Sequence, residues 1–236
     1  MRIVLLTTET LHHAYFARQL AAGAHEVLAL IETEGVLPPY DTAHPFEAAR
    51  DEHERAHWFA GRQGKVTEFA ESRHFADINA PEAVAALRGF APSLTVCFGT
   101  RRLTGELIAR GGERLVNLHG GDPERYRGLD THLWAIWHRD FSALQTCLHR
   151  VDDQLDTGEI IECLPVEPAP GSGLHQLRQA NTETCLRLVE GAIAQIEGHG
   201  ALKTRKQTGQ GRYYSFMPSA LKEICVKRFA HHMKGR

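Results

Sequence analysis

The sequence of 236 residues has no long apolar run, no glycine-rich phosphate loop and no cysteine cluster, and each absence removes a class of function. Its only apolar run near the start, Ile3-Val4-Leu5-Leu6, gives way at once to Thr7-Thr8-Glu9. That is too short for a signal-peptide core or a membrane span, so a cytoplasmic protein with no membrane partner is expected. The five cysteines, Cys97, Cys147, Cys163, Cys185 and Cys225, are odd in number and far apart. They predict reduced core residues, with neither a disulfide framework nor a zinc site. Internal repeats and low-complexity segments are missing too. An apolar content of 42% beside 24% charged residues is that of a globular chain, which excludes a disordered one.

The net charge of -2 is unevenly spread, because residues 203–236 hold nine basic side chains against one acid, Glu223. A solvated basic helix is the plain account of this tail. A sharper one has Arg205, Lys206 or Arg212 approaching a substrate phosphate.

Short branched apolar runs at 3–6 and 27–31 read as buried strands, and 12–22 between them carries Tyr15, Phe16 and Leu20 at helical spacing. This βαβ start predicts an α/β fold: a Rossmann-like open, mostly parallel sheet with helices on both faces. Further helices are expected at 44–60, 81–87, 131–138 and 174–195, and strands at 94–98, 115–118, 144–151 and 160–166. Glycines at 198, 200, 209 and 211 break the pattern. Residues 201–236 then form a short C-terminal extension expected to pack on the 1–200 domain. Its apolar stretch 213–217 would cover a partner subunit, in a homodimer, as readily as the chain's own core.

Asn117-Leu118-His119 closes the run at 115–118, and Leu155-Asp156-Thr157-Gly158 places a carboxylate 37 residues past the histidine. An amide, an imidazole and a carboxylate can hold an oxyanion, move a proton and orient the imidazole. If 115–118 is a strand, Asn117 and His119 lie on one side at its carboxyl end, where open sheets bind ligands. Asp156 sits in a loop between two expected strands, and Gly158 suits its turn. An aspartate that accepts from one imidazole nitrogen leaves the other facing the substrate.

Together with Arg125-Tyr126-Arg127-Gly128 and Thr131-His132-x-x-Ala135, these stretches resemble the folate-dependent formyltransferases. That family includes methionyl-tRNA formyltransferase, phosphoribosylglycinamide formyltransferase and the N-formyltransferases of nucleotide-linked amino sugars. The likeness is specific over 90–166 and holds in strand order before it. It implies a formyltransferase catalytic domain over 1–200, 10-formyltetrahydrofolate as formyl donor, and Asn117, His119 and Asp156 as the catalytic trio. Asn117 and a protonated His119 would stabilise the oxyanion, while Asp156 orients His119 and relays the proton. The pterin would lie against Phe98, Gly99, Thr100, Arg101, Arg102 and Leu103, with Val151, Asp152, Asp153 and Leu155 as the other wall. No metal is implied.

Two departures bear on the amine. Gly120-Gly121-Asp122-Pro123-Glu124 replaces the family's usual Ser-Leu-Leu-Pro-like segment, so Gly120, Gly121 and Asp122, with Tyr126 and His132, are the candidate amine contacts. Thr7-Thr8-Glu9-Thr10 stands where a glycine-rich turn would take a ribonucleotide phosphate. The short extension leaves no room for a tRNA-gripping barrel, which disfavours nucleic acid. A small-molecule amine on a nucleotide-linked sugar is the expected acceptor, with methionyl-tRNA or another small amine as alternatives. Of other classes, His53-Glu54-Arg55-Ala56-His57 matches a zinc-hydrolase helix, with Glu68 or Glu71 as third ligand. A catalytically idle binding domain on the same fold would be supported by the altered 120–124 loop.

Overall fold

Alternation along β1 (Arg2–Thr7) decides the architecture, since Ile3 and Leu5 face one layer, Val4 and Leu6 the other, and all four are fully buried. A strand apolar on both faces needs helices on both. The computed structural model describes residues 1–235; Arg236, the last cation of the tail, lies outside them. One layer is supplied by α1 (Leu11–Ala22) and α6 (Leu177–His199), the other by α3 (Pro81–Phe90) and the short α4 (Gly105–Gly111).

The sheet runs in the order β3 (Glu71–Phe75), β2 (Glu26–Glu32), β1, β4 (Leu94–Phe98), β5 (Leu115–His119), β7 (Gln145–Arg150) and β8 (Ile160–Pro165). The first five strands are mutually parallel, and β7 pairs antiparallel with both β5 and β8. The fold is thus α/β with a mostly parallel sheet, as the βαβ start predicts. Strand β3 escapes the apolar pattern because it is a largely exposed edge strand of sequence Glu-Ser-Arg-His-Phe.

Helix α2 (Pro45–Phe59) starts where its chemistry dictates. Pro45 takes the first position, the His44 ring accepts from Phe46 N, and the Glu47 carboxylate accepts from His44 N. The expected 174–195 helix opens as a tight turn at Leu174–Gln176 and runs on to His199, ended by Gly200 at φ 72°.

The expectation of five reduced cysteines is corrected: Cys147 and Cys163 form a disulfide. Antiparallel pairing of β7 and β8 sets them directly opposite, with Cα atoms 4.0 Å apart, a proximity their spacing of 16 residues does not reveal. Cys97, Cys185 and Cys225 are free and buried. Among the described residues, no helix is long and apolar enough to cross a membrane.

The tail is not a solvated appendage. Its strand β9 (Arg212–Tyr214) pairs in parallel with β6 (Tyr126–Gly128), a separate small sheet beyond the end of β5. Its helix α7 (Ser219–Lys234) packs on α5 (Thr131–Trp137), burying Cys225, Phe229 and Met233. Even Lys222 is 2% exposed, its ammonium donating to Thr42 O at 2.5 Å and Glu47 Oε1 at 2.7 Å. Since Phe229 is fully buried in that contact, Phe229→Ala is expected to cost about 3–5 kcal/mol. Urea unfolding monitored by circular dichroism checks this: one cooperative transition should shift, whereas a separate early step would mark the tail as an independent unit.

Candidate active site

Thr8 and Gly99, just beyond β1 and β4, and the end of β5 line a cleft of about 660 Å³. This is the strand-end position at which open α/β sheets take ligands. Asn117, His119 and Asp156 meet there. Asn117 Nδ2 lies 3.4 Å from Asp156 Oδ1, and His119 Nδ1 lies 3.5 Å from the same oxygen.

Asp156 reaches this position from a loop that is pinned throughout. Its own backbone is left-handed, at φ 55°. Gly158 runs so close to β7 that an added Cβ would lie 1.8 Å from the Arg150 carbonyl oxygen. Gly128 N donates to Asp156 Oδ2 at 2.9 Å, and Arg127 Nη1 to Leu155 O at 3.2 Å. From the tail, Gln207 Nε2 donates to the carbonyls of Asp156 and Gly158, at 3.0 and 2.9 Å.

A fourth side chain, His149, completes the group. The antiparallel register sets it opposite Asn117. Its Nδ1 donates to Arg150 O at 2.7 Å, so Nε2 accepts from Asn117 Nδ2 at 3.2 Å while lying 3.5 Å from Asp156 Oδ1. His119 behaves alike. Its Nε2, expected to face the substrate, donates instead to Tyr126 O at 2.8 Å, because the 120–125 loop folds β6 back over the end of β5. Both imidazoles thus spend one N–H on a backbone carbonyl and turn the other nitrogen to one carboxylate oxygen.

Burial lowers the pKa of His119 against the raising effect of Asp156, which favours the neutral imidazole near pH 7. For Asp156, burial alone would push the carboxyl up. Attraction to the facing His119 and His149 rings once these are protonated, and the Gly128 N–H, outweigh it and bring the carboxyl down to about 2.

The other expected contacts divide. Gly99, Thr100, Arg101, Arg102, Leu103, Val151, Asp152 and Leu155 line the cleft, while Phe98 and Asp153 do not. Phe98 packs under the sheet end against His13 and Phe16, and Asp153 offers its carbonyl to Arg102 Nη2. Glu32, which carried no motif, holds this loop: its buried carboxylate accepts from Arg101 N at 2.8 Å, Arg101 Nε at 2.9 Å and Ile78 N at 3.1 Å. A lone acid closing an apolar strand was the only signal for it.

Gly120 and His132 line the cleft, the latter donating from Nε2 to Gln145 O at 2.6 Å. Gly121, Asp122 and Tyr126 do not line it. Asp122 accepts from Glu124 N within its own turn, and the Tyr126 ring stacks on Tyr214 with its hydroxyl on Asp140. At Gly121 an added Cβ would sit 3.1 Å from His119 Nε2, so glycine keeps room beside the imidazole.

Arg205, Lys206 and Arg212 stand off the cleft; Arg205 is paired with Glu124 at 2.7 Å. What the tail brings to the cleft is aromatic, Tyr213 and Phe216. The zinc-like helix is a clamp. Glu54 is fully buried under Arg178, which bonds both its oxygens at 2.6 and 2.5 Å, and His53 and His57 both bond Gln179. Among the described residues, no group of three or more His, Cys, Asp or Glu is arranged to hold a metal ion.

The sequence matches the family described as formyl transferase over residues 1–184. Similar solved structures include the formyltransferase PseJ from Anoxybacillus kamchatkensis, in complex with UDP-4,6-dideoxy-4-formamido-L-AltNAc and tetrahydrofolate. It is 18% identical with a TM-score of 0.53, over 91% of this chain and 86% of that one. WlaRD, a sugar 3N-formyl transferase crystallised with dTDP and 5-N-formyl-THF, is 16% identical with a TM-score of 0.57, over 91% and 69%. Phosphoribosylglycinamide formyltransferase from Bacillus halodurans is 18% identical with a TM-score of 0.56, over 84% and 98%.

The buried imidazoles fix the acid limit of the fold. Burial lowers His119, takes His132 to about 4 and takes His13, behind Gly99, to about 3, from an ordinary 6.5. The unfolded chain therefore binds more protons below pH 6.5, and stability should fall as pH drops from 6.5 towards 4, by up to about 1.4 kcal/mol per pH unit for each such group. Asp156 acts lower down, its contribution fading between its ordinary 3.8 and about 2. Urea midpoints measured from pH 7 to pH 4 should decline; a flat profile would contradict the neutral imidazoles.

Proposed function

We propose, from the premise that this chain belongs to the formyl transferase family, that its cleft passes a formyl group from 10-formyltetrahydrofolate to a primary amine on a nucleotide-linked sugar. The observation that carries this reading is the meeting of Asn117, His119 and Asp156 on one cleft wall. The residues beside them suit a flat heteroaromatic donor: Leu103, Val151 and Leu155 give apolar faces, and Thr100 and Asp152 polar edges. The sugar reading draws on the likeness to PseJ and WlaRD. It draws also on Tyr213, 54% exposed, and Phe216, which offer a nucleobase a stacking face at the cleft.

When bound, 10-formyltetrahydrofolate supplies the formyl carbon. In this reading Asn117 Nδ2 gives up its long 3.4 Å bond to Asp156 Oδ1 and donates that N–H to the oxygen on which charge develops as the amine attacks. Asp156 Oδ1 takes the amine proton, directly or through a water, and His119 Nδ1 shares it before it passes to the departing nitrogen. A proton reaching this oxygen meets two basic imidazole nitrogens at 3.5 Å each. The spent N–H groups of both rings keep those nitrogens aimed there.

Incubation with 10-formyltetrahydrofolate and a panel of UDP- and dTDP-linked amino-dideoxyhexoses should release tetrahydrofolate only when an acceptor is present. Absence of both turnover and folate binding would overturn the reading. Asn117→Ala, His119→Ala and Asp156→Ala should each lower kcat by about 100-fold or more, with melting temperatures close to that of the parent. For His149→Phe we expect a fall in kcat of about 10- to 100-fold, because Asn117 and Asp156 lose the partner that orients them. An unchanged rate in that variant would assign His149 to packing alone.

A further inference from the structure

Asp130 begins helix α5, a position at which aspartate ordinarily caps the helix with its own carboxylate. Here it makes no such bond. Its backbone is left-handed, at φ 51° and ψ 28°. One oxygen, Oδ2, accepts from Met217 N at 2.8 Å, and among the described residues Oδ1 has no partner.

That half-used carboxylate lines the same cleft as Asn117, whose wall carries the apolar Phe46, Leu133, Leu177 and Phe216 together with Glu47 and Arg50. A charge beside apolar side chains loses hydration, which only a hydrogen-bond donor can replace. Burial accordingly raises the Asp130 carboxyl above its ordinary range. The cations nearby are committed elsewhere, Arg50 to Asp51 at 3.0 Å and Lys222 to Glu47 at 2.7 Å, and neither forms an ion pair with Asp130. The next residue reaches towards the chemistry: Thr131 Oγ1 donates to Gly120 O, one residue past His119.

We infer that Asp130 is the acceptor-reading group of this enzyme: its free oxygen takes a hydrogen bond from a hydroxyl or ammonium group of the amine substrate and so selects which amines are formylated. The inference rests on the formyl-transfer reading and deepens it. A carboxylate repels phosphate, so the contact is with the sugar and not with the diphosphate. The carboxylate belongs to the cleft wall and not to the proton-moving group, so its loss should weaken acceptor binding and leave donor binding intact.

The test uses the full chain, 10-formyltetrahydrofolate and UDP- and dTDP-linked 3-amino- and 4-amino-dideoxyhexoses as acceptors. Asp130→Ala and Asp130→Asn should raise the acceptor KM about tenfold or more while the donor KM stays within about twofold. The asparagine variant can keep the bond to Met217 N, and so reports even if the alanine variant fails to fold. Acceptors lacking one ring hydroxyl identify the partner: the effect vanishes with the hydroxyl that Asp130 binds, and persists across the series if the partner is the ammonium. Parent-like acceptor KM in both variants overturns this inference and leaves formyl transfer standing. Unfolding of both variants assigns Asp130 to holding Met217 and overturns it as well. A parent chain that neither binds nor formylates any of these sugars sinks the sugar reading and this one together.

Discussion

Two backbone groups of one short strand hold the candidate site together. The carbonyl of Tyr126 fixes His119, and the N–H of Gly128 fixes Asp156, so β6 sets the relative position of an imidazole and a carboxylate that come from opposite ends of the sequence motif. Strand β6 is only three residues long and belongs to no part of the main sheet. A strand that short has no stability of its own. Its position is imposed by β9, paired along its free edge, and by Arg127, which bridges Gly211 O and Leu155 O. The basic tail thus acts on the site through main-chain geometry, while its charges point elsewhere.

The polar group at the floor of the cleft is held in one protonation pattern by the same contacts. His119 and His149 each commit an N–H to a carbonyl, which leaves a single direction in which either ring can accept a proton. Asn117 is bonded to both His149 and Asp156, so the four side chains form one connected network. Burial lowers His119, whereas attraction to a protonated ring and the Gly128 N–H lower Asp156, so the two groups share one proton site between them.

The sequence made the alternating α/β order legible because β1, β2, β4 and β5 are short runs dominated by apolar residues. Asn117, His119 and Asp156 were legible because they lie at strand ends and turns, where polar residues interrupt apolar runs. His149 was not, since one histidine inside a strand acquires meaning only through the antiparallel register that sets it against Asn117. Cys147 and Cys163 were hidden for the same reason, each being the other's cross-strand partner. The tail packs on the domain as expected, but its charge misdirected the reading of what it presents to the cleft. Its positive side chains drew attention to phosphate, whereas the residues that reach the cleft, Tyr213 and Phe216, are uncharged. Composition reports what a segment carries, and only packing reports which side it presents.

The pairing of β6 with β9 joins Tyr126 to Arg212 across 86 residues of chain. During synthesis every strand of the main sheet leaves the ribosome before Arg212 does, so the sheet can assemble around its apolar layers while β6 still lacks a neighbour. In that interval β6 has Asp122, Asp140 and Leu155 as hydrogen-bond partners but no strand along its edge. The backing of the site by β9 is therefore the last part of its frame to be synthesised, after every strand of the main sheet.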